Sequence, residues 1–271
     1  MKKMNIETTV KYSDNCLSPP EGDLGGLKTY FLSDIHLGSK SHANSIEVER
    51  KLCRWLDTIR HDAKAIFLLG DIFDYWYEYK HVVPKGFVRV LGKLAELTDS
   101  GIAIHFFIGN HDLWLTNYLA KECGLTLHLQ PEIVEIDGKK LFLAHGDSLG
   151  ARSLSVSLLS KMFRCRLLRT CFSAVHPRWT VPLAHAWSNH SRKYGENADF
   201  LGEENEELIA FAQRKLHELP DIDYFVFGHR HILLDFPISN SSRVIILGDW
   251  VRYFSYGVLD ENGMRLEQFE S

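Results

Sequence analysis

No run of eighteen apolar residues occurs anywhere in the 271-residue chain, so no segment has the length and character of a membrane-spanning helix. The five cysteines, Cys16, Cys53, Cys123, Cys165 and Cys171, are odd in number, scattered and never spaced as C-x-x-C. That pattern argues against a disulfide framework and a thiolate zinc site, and it suits a reducing compartment. An excess of charge is missing as well: a net charge of −4 and a pI near 6.4 argue against a general nucleic-acid binder. The N-terminal segment carries Lys2 and Lys3 but no apolar core of a secretion signal, which gives the expectation of a cytosolic protein. Residues 1–26, closing on SPPEGDLGG, are polar and rich in turn formers. The expectation is a loose tail followed by one domain over 27–271.

What the chain does have is a series of short, β-favouring apolar runs: TYFLSDIH (29–36), AIFLLGDIFD (65–74), AIHFFIGNHD (103–112), KLFLAHGD (140–147), DYFVFGHRH (223–231) and RVIILGDW (243–250). Between them lie stretches of helical spacing, such as 43–60 with Ile46, Leu52, Trp55, Leu56 and Ile59 mostly on one face, and 203–219 with Leu208, Phe211 and Leu216. Strands alternating with helices predict a layered α/β fold.

Each of the first five runs ends in groups able to hold a metal: Asp34 and His36; Asp71; Asn110 and His111; His145; His229 and His231. A single Asp at a strand end is usually a cap or turn residue, and a single His is usually a satisfied core or surface group. Five such ends in one chain point to a shared centre. Oxygen and imidazole donors without thiolates suit Mn²⁺, Fe or Zn²⁺. Eight candidates are too many for one ion and enough for two, with Asp71 the natural bridge between them.

The blocks DIH (34–36), GDIFD (70–74), GNHD (109–112), HGD (145–147) and GHRH (228–231) resemble, in order, those of the calcineurin-like metallophosphoesterases. The resemblance implies a four-layer αββα sandwich, two β-sheets flanked by helices, around a dinuclear centre. Asp34, His36 and His231 would hold one metal and Asn110, His145 and His229 the other, with Asp71 shared. Hydroxide would attack phosphorus directly, while His111 stabilises the transition state or protonates the leaving group. Asp112 is expected to orient His111. Asp74 and Asp147 are either similar supports or loop caps, and Asp249 is a support rather than a ligand.

A helical insertion at about 150–205 separates HGD from GHRH. From Arg152 to Lys193 it carries eight basic residues and no acidic one, interleaved with apolar and aromatic side chains. That composition suits either an amphipathic lid over anionic lipid or an ordinary helical cap with a solvated basic face. With GDIFDYWYEY (70–79) and HPRW…AWSNHSRKY in the insertion, the chain resembles the UDP-2,3-diacylglucosamine hydrolases of lipid A biosynthesis. What this implies is cleavage of the pyrophosphate to UMP and 2,3-diacylglucosamine 1-phosphate, usually with Mn²⁺, at the cytoplasmic face of the inner membrane. Asn110, Arg192 and Lys193 would contact substrate, and Phe163, Leu167, Leu168 and Phe172 would line an acyl groove. Better-known members of that branch carry Arg where this chain has His111. The alternatives are another phosphomonoesterase or phosphodiesterase, a nuclease, and a non-catalytic metal-binding scaffold, which typically lacks ligands; here all seven are present.

Overall fold

The computed structural model describes residues 9–11, 26–149, 165–183 and 199–270. Two mixed six-stranded sheets form the centre. Strands β1 (Thr9–Lys11), β2 (Lys28–Leu32), β3 (Ala63–Leu68), β4 (Ala103–Phe107), β5 (Thr126–His128) and β6 (Glu132–Ile136) come first along the chain. They are followed by β7 (Lys139–Ala144), β8 (Tyr224–Phe227), β9 (Leu233–Pro237), β10 (Arg243–Leu247), β11 (Ser255–Asp260) and β12 (Gly263–Gln268). One sheet has the order β12-β11-β2-β3-β4-β5 and the other β1-β6-β7-β8-β10-β9. The six apolar runs are the parallel strands β2, β3 and β4 of one sheet and β7, β8 and β10 of the other.

Because strand side chains alternate, each sheet presents two apolar faces. Phe31, Phe67, Phe107, Leu141, Val226 and Ile245 meet between the sheets. On the outer side of the first sheet, Tyr30, Ile66 and Phe106 pack against Trp55 and Leu56 of α1 (Ser45–Ile59) and Leu94 of α2 (Val88–Asp99). A short α3 (Tyr118–Cys123) adds Leu119 to the same cluster. Two helices of the insertion follow, α4 (Arg166–Ser173) and α5 (177–183). On the far side of the second sheet, Phe142, Phe225 and Phe227 pack on Leu208, Ile209 and Ala212 of α6 (Glu207–Glu218). Helix, sheet, sheet and helix thus stack in four layers.

Caps come from within and from neighbours. Asn44 accepts the N–H groups of Ile46 and Glu47 to start α1. The first turn of α2 has no cap of its own, and Glu49 of α1 supplies one by accepting from Arg89 and Val90. Likewise Glu78 accepts from the backbone of Thr116, Asn117 and Tyr118 at the start of α3.

One part of the tail is ordered differently from the expectation. Residues Thr9–Lys11 pair in parallel with β6 and close one edge of the second sheet. An otherwise open edge of unpaired N–H and C=O groups is what a β-branched Thr-Val pair satisfies by extending.

Candidate metal centre and active site

Parallel strands place their C-terminal ends on one side of a sheet, and the residues just past those ends form the site. Asp34 follows β2, Asp71 follows β3, Asn110 and His111 follow β4, His145 follows β7, and His229 follows β8. The two sheets are tied there by Trp250 N–H, after β10, donating to the Asp34 carbonyl, after β2, and within the second sheet Gly228 N–H donates to the His145 carbonyl. The chain turns sharply at these ends. Asp34, His36, Asp71, His229 and His231 all lie in the left-handed region, with φ between 50° and 69°. A non-glycine residue costs about 1–2 kcal/mol there. Five such residues at one locus mark a place where geometry is imposed against local preference. Two glycines make room: a Cβ on Gly109 would overlap the Asp71 carboxylate, and one on Gly228 would overlap that of Asp34.

Three donor clusters result among the described residues, one of them His36, Asp74 and His111, which shares His36 with the first described below. In the first, Asp34, His36 and His231 come together, all buried. Nε2 of His36 and of His231 are 3.3 Å apart, and they stand 3.7 and 3.5 Å from Asp34 Oδ1. That oxygen is buried and accepts no hydrogen bond. In the second, Asp71, His145 and His229 come together. His145 Nε2 lies 3.3 Å from Asp71 Oδ2 and 3.2 Å from Asn110 Oδ1. Asp71 Oδ1 is occupied by the His111 N–H at 2.8 Å, so Oδ2 is the atom facing the centre, 3.9 Å from His36 Nε2 on the other side. Donors bound to one ion at about 2.1 Å stand roughly 3–3.5 Å apart, so both clusters fit a divalent cation, and a neutral imidazole beside carboxylates is a suitable donor set.

The imidazoles are held so that Nε2 points inward. His145 Nδ1 donates to the Leu69 carbonyl at 2.8 Å, and His231 Nδ1 to Asp249 Oδ2 at 3.2 Å. His111 Nδ1 lies 3.1 Å from the Asp74 carbonyl and 3.9 Å from its carboxylate, with Nε2 3.9 Å from Asp71 Oδ2. Asp112 does something else. Its oxygens accept Gly109 N–H at 2.7 Å and Ile72 N–H at 3.1 Å, locking together the loops after β3 and β4, and the group on His111 is Asp74.

Buried carboxylates and imidazoles set one another's ionisation in the site. Burial opposes ionisation of Asp71, yet His145 and His111 beside it hold it well below the ordinary carboxylate range. Burial likewise opposes charge on His145, but Asp71 draws it well above the ordinary value. Asp34 is raised by burial, and Asp112 is pushed up to about 7 by burial and then by Asp71. His229 is driven down to about 3 by burial and by His145, which leaves it neutral. Divalent ions would relieve this crowding of carboxylates.

The described part of the insertion packs on the segments that follow Asp74 and Asp112. Phe172 of α4 packs on Tyr77 and Trp114, with ring centroids 5.1 and 4.6 Å away, and Thr180 of α5 bonds the Tyr79 hydroxyl at 2.6 Å. Phe172 is thus half-buried against these two rings. Arg192, Lys193 and Phe163 lie outside the described residues, as do the side chains of Leu167 and Leu168.

The sequence profile of the calcineurin-like phosphoesterase family matches residues 27–233. The chain is a calcineurin-like phosphoesterase. Membership implies divalent metal ions, for which the donor clusters at the strand ends are candidate places among the described residues. The phosphoesterase is 50% identical over 257 residues to a UDP-2,3-diacylglucosamine hydrolase of Porphyromonas gingivalis, which spans 90% of this chain and 98% of that one. A protein of the same name from Aeromonas salmonicida is 29% identical over 245 residues, 89% of this chain and 93% of its own. Another, from Neisseria gonorrhoeae, is 26% identical over 224 residues, 82% and 89% of the two chains. Among the described residues of the phosphoesterase, no helix is long and apolar enough to cross a membrane.

Proposed function

We propose that this phosphoesterase hydrolyses UDP-2,3-diacylglucosamine to UMP and 2,3-diacylglucosamine 1-phosphate. The observation that carries the reading is the 50% identity to a hydrolase of that name across nearly the whole of both chains. The basic, apolar insertion supports it, because a substrate with two acyl chains and a diphosphate needs cationic and apolar groups together. Two Mn²⁺ ions are the proposed cofactors; Asp34, His36 and His231, and Asn110, His145 and His229, together with Asp71, would hold them. When bound, such ions supply Lewis-acid polarisation of the phosphoryl oxygens.

The side chains do the rest. Water adds to one phosphorus, the bridging P–O bond breaks, and the departing phosphate keeps the electron pair. His111 presents Nε2 to the centre while Asp74 holds Nδ1, the arrangement needed to hand a proton to the departing oxygen. Asn110, Arg192 and Lys193 bind the phosphates, and the protein acts at the cytoplasmic face of the inner membrane. Chromatographic detection of UMP from UDP-2,3-diacylglucosamine in detergent with Mn²⁺ tests the reading. Faster turnover of soluble phosphomonoesters or phosphodiesters than of this lipid would replace it with a general phosphoesterase.

A further inference from the structure

Beyond the bridging candidate Asp71, the segment from Asp74 to Tyr79 lies alongside 111–118, which begins at His111. Two contacts fix how they meet. His111 Nδ1 is 3.1 Å from the Asp74 carbonyl, and Tyr77 and Trp114 form a parallel backbone bridge with their rings 5.3 Å apart. Both pairs are 37 residues apart in the chain, so the two segments run parallel and in register.

Glu78 pins the end of this pairing farthest from the site. Its Oε1 accepts the Trp76 indole N–H at 3.3 Å and the Thr116 N–H at 2.9 Å. Its Oε2 accepts the N–H groups of Asn117 and Tyr118 at 3.0 and 3.2 Å, together with the Thr116 hydroxyl. Donors from both segments thus converge on one carboxylate, and bonds to a charged acceptor are about twice as strong as neutral ones. Across the same junction the rings of Trp76 and Tyr118 stand 6.0 Å apart. Asn117, at the start of α3, makes no side-chain cap of its own. A local cap would satisfy the helix equally well. Only an acceptor from the other segment also fixes where α3 begins relative to Tyr77, and so holds Trp114, and His111 three residues before it, in register.

We propose that Glu78 is a positioning residue for His111. Its carboxylate holds 74–79 in register with 111–118, and that register keeps His111 Nδ1 on the Asp74 carbonyl and Nε2 aimed at the centre. A displacement of about 1 Å at a reacting group can cost 10²-fold in rate, so a slip of the paired segments is felt at the proton that Nε2 delivers. The inference rests on the proposed role of His111 as proton donor, and its test separates the two.

The test measures kcat, KM and the thermal midpoint of the full chain and of Glu78→Ala, Glu78→Gln, His111→Ala and the double variant Glu78→Ala/His111→Ala, on UDP-2,3-diacylglucosamine with Mn²⁺. In Glu78→Ala, kcat should fall roughly ten- to a hundredfold with KM unchanged. Glu78→Gln, which keeps one acceptor oxygen, should recover part of that rate. The double variant should be no slower than His111→Ala alone, because a misplaced donor and an absent one are the same defect. Losses that multiply overturn the inference, as does a normal kcat in folded Glu78→Ala with only its midpoint lowered, which leaves Glu78 a helix cap. Where Glu78→Ala does not fold, Glu78→Gln takes its place in the same comparison with His111→Ala. A normal kcat in His111→Ala removes the proton donor and this inference with it, whereas a slow His111→Ala beside a normal Glu78→Ala removes this inference alone. If the unaltered protein leaves the lipid intact, the substrate reading falls, and the same comparison on bis(p-nitrophenyl) phosphate decides the role of Glu78.

Discussion

Arg230 closes on Glu206 with Nε 2.7 Å from one carboxylate oxygen and Nη2 3.1 Å from the other, and it stands in the chain between His229 and His231. Glu206 is buried at the start of α6, with its own N–H held by the Gly202 carbonyl. The pair therefore ties the loop bearing two candidate ligands to a helix N-terminus. Glu206→Ala removes this partly buried pair and should cost on the order of 1–3 kcal/mol of stability. Urea unfolding checks this, and an unchanged midpoint would show that the clamp contributes nothing.

Asp249 accepts from His231 Nδ1 through Oδ2, while its Oδ1 takes the N–H groups of Val251, Arg252 and Tyr253. Its orientation is thus fixed from both sides. Asp249→Asn should weaken metal affinity about 10–100-fold, the usual effect of losing the partner that orients a ligating imidazole. Equal affinity in a calorimetric Mn²⁺ titration would detach His231 from the metal.

Asp71→Ala should abolish activity and lower metal content at both positions, because its inward oxygen faces both clusters. Emission spectroscopy on the purified variant gives the stoichiometry. Two ions at full occupancy with a near-normal rate would rule out a shared carboxylate.

His111→Ala should keep the metals while kcat falls by roughly 10²–10⁴, the range for a positioned proton donor. Loss of the metals would instead make His111 a ligand.

His105 lies on β4 facing the second sheet, its ring 4.6 Å from that of Phe67. Burial, and then neighbouring His128, drives its pKa from 6.5 down to about 3. Below pH 6.5 the unfolded chain binds a proton that the folded chain refuses. Stability from this group is therefore complete above pH 6.5 and lost as pH falls towards about 3, by up to roughly 1.4 kcal/mol per pH unit. His105→Phe keeps a stacking ring and should flatten that slope in urea unfolding between pH 7.5 and 5. Parallel slopes in the two proteins would refute the assignment.

The six runs legible in the sequence are the six parallel inner strands, because a strand covered on both faces needs continuous apolar residues whatever its partners. The margins were not legible. Strand β5 is only TLH, β9 reads LLDFP and β12 reads GMRLEQ, half-exposed segments that are extended only because a neighbour supplies hydrogen bonds. The same holds for β1, which lies in a stretch that composition alone describes as a tail.

The site divides in the same way. Asp34, His36, Asp71, Asn110, His145, His229 and His231 were legible as candidate donors because each sits within four residues of the end of an apolar strand, and parallel pairing brings such ends together. Their second partners were not. GDIFD contains Asp74 and GHRH contains Arg230, yet nothing local shows that Asp74 meets His111, 37 residues away, or that Arg230 meets Glu206. Asp112 next to His111 suggested a pair, and strand-end geometry turned its carboxylate onto the backbone of Gly109 and Ile72 instead. Sequence by itself determined which donors and which strands exist, since composition and period are properties of short segments. Only the tertiary structure decided their pairing, because the left-handed turns at Asp34, Asp71 and His229 and the contacts beyond them are stabilised by residues distant in the chain.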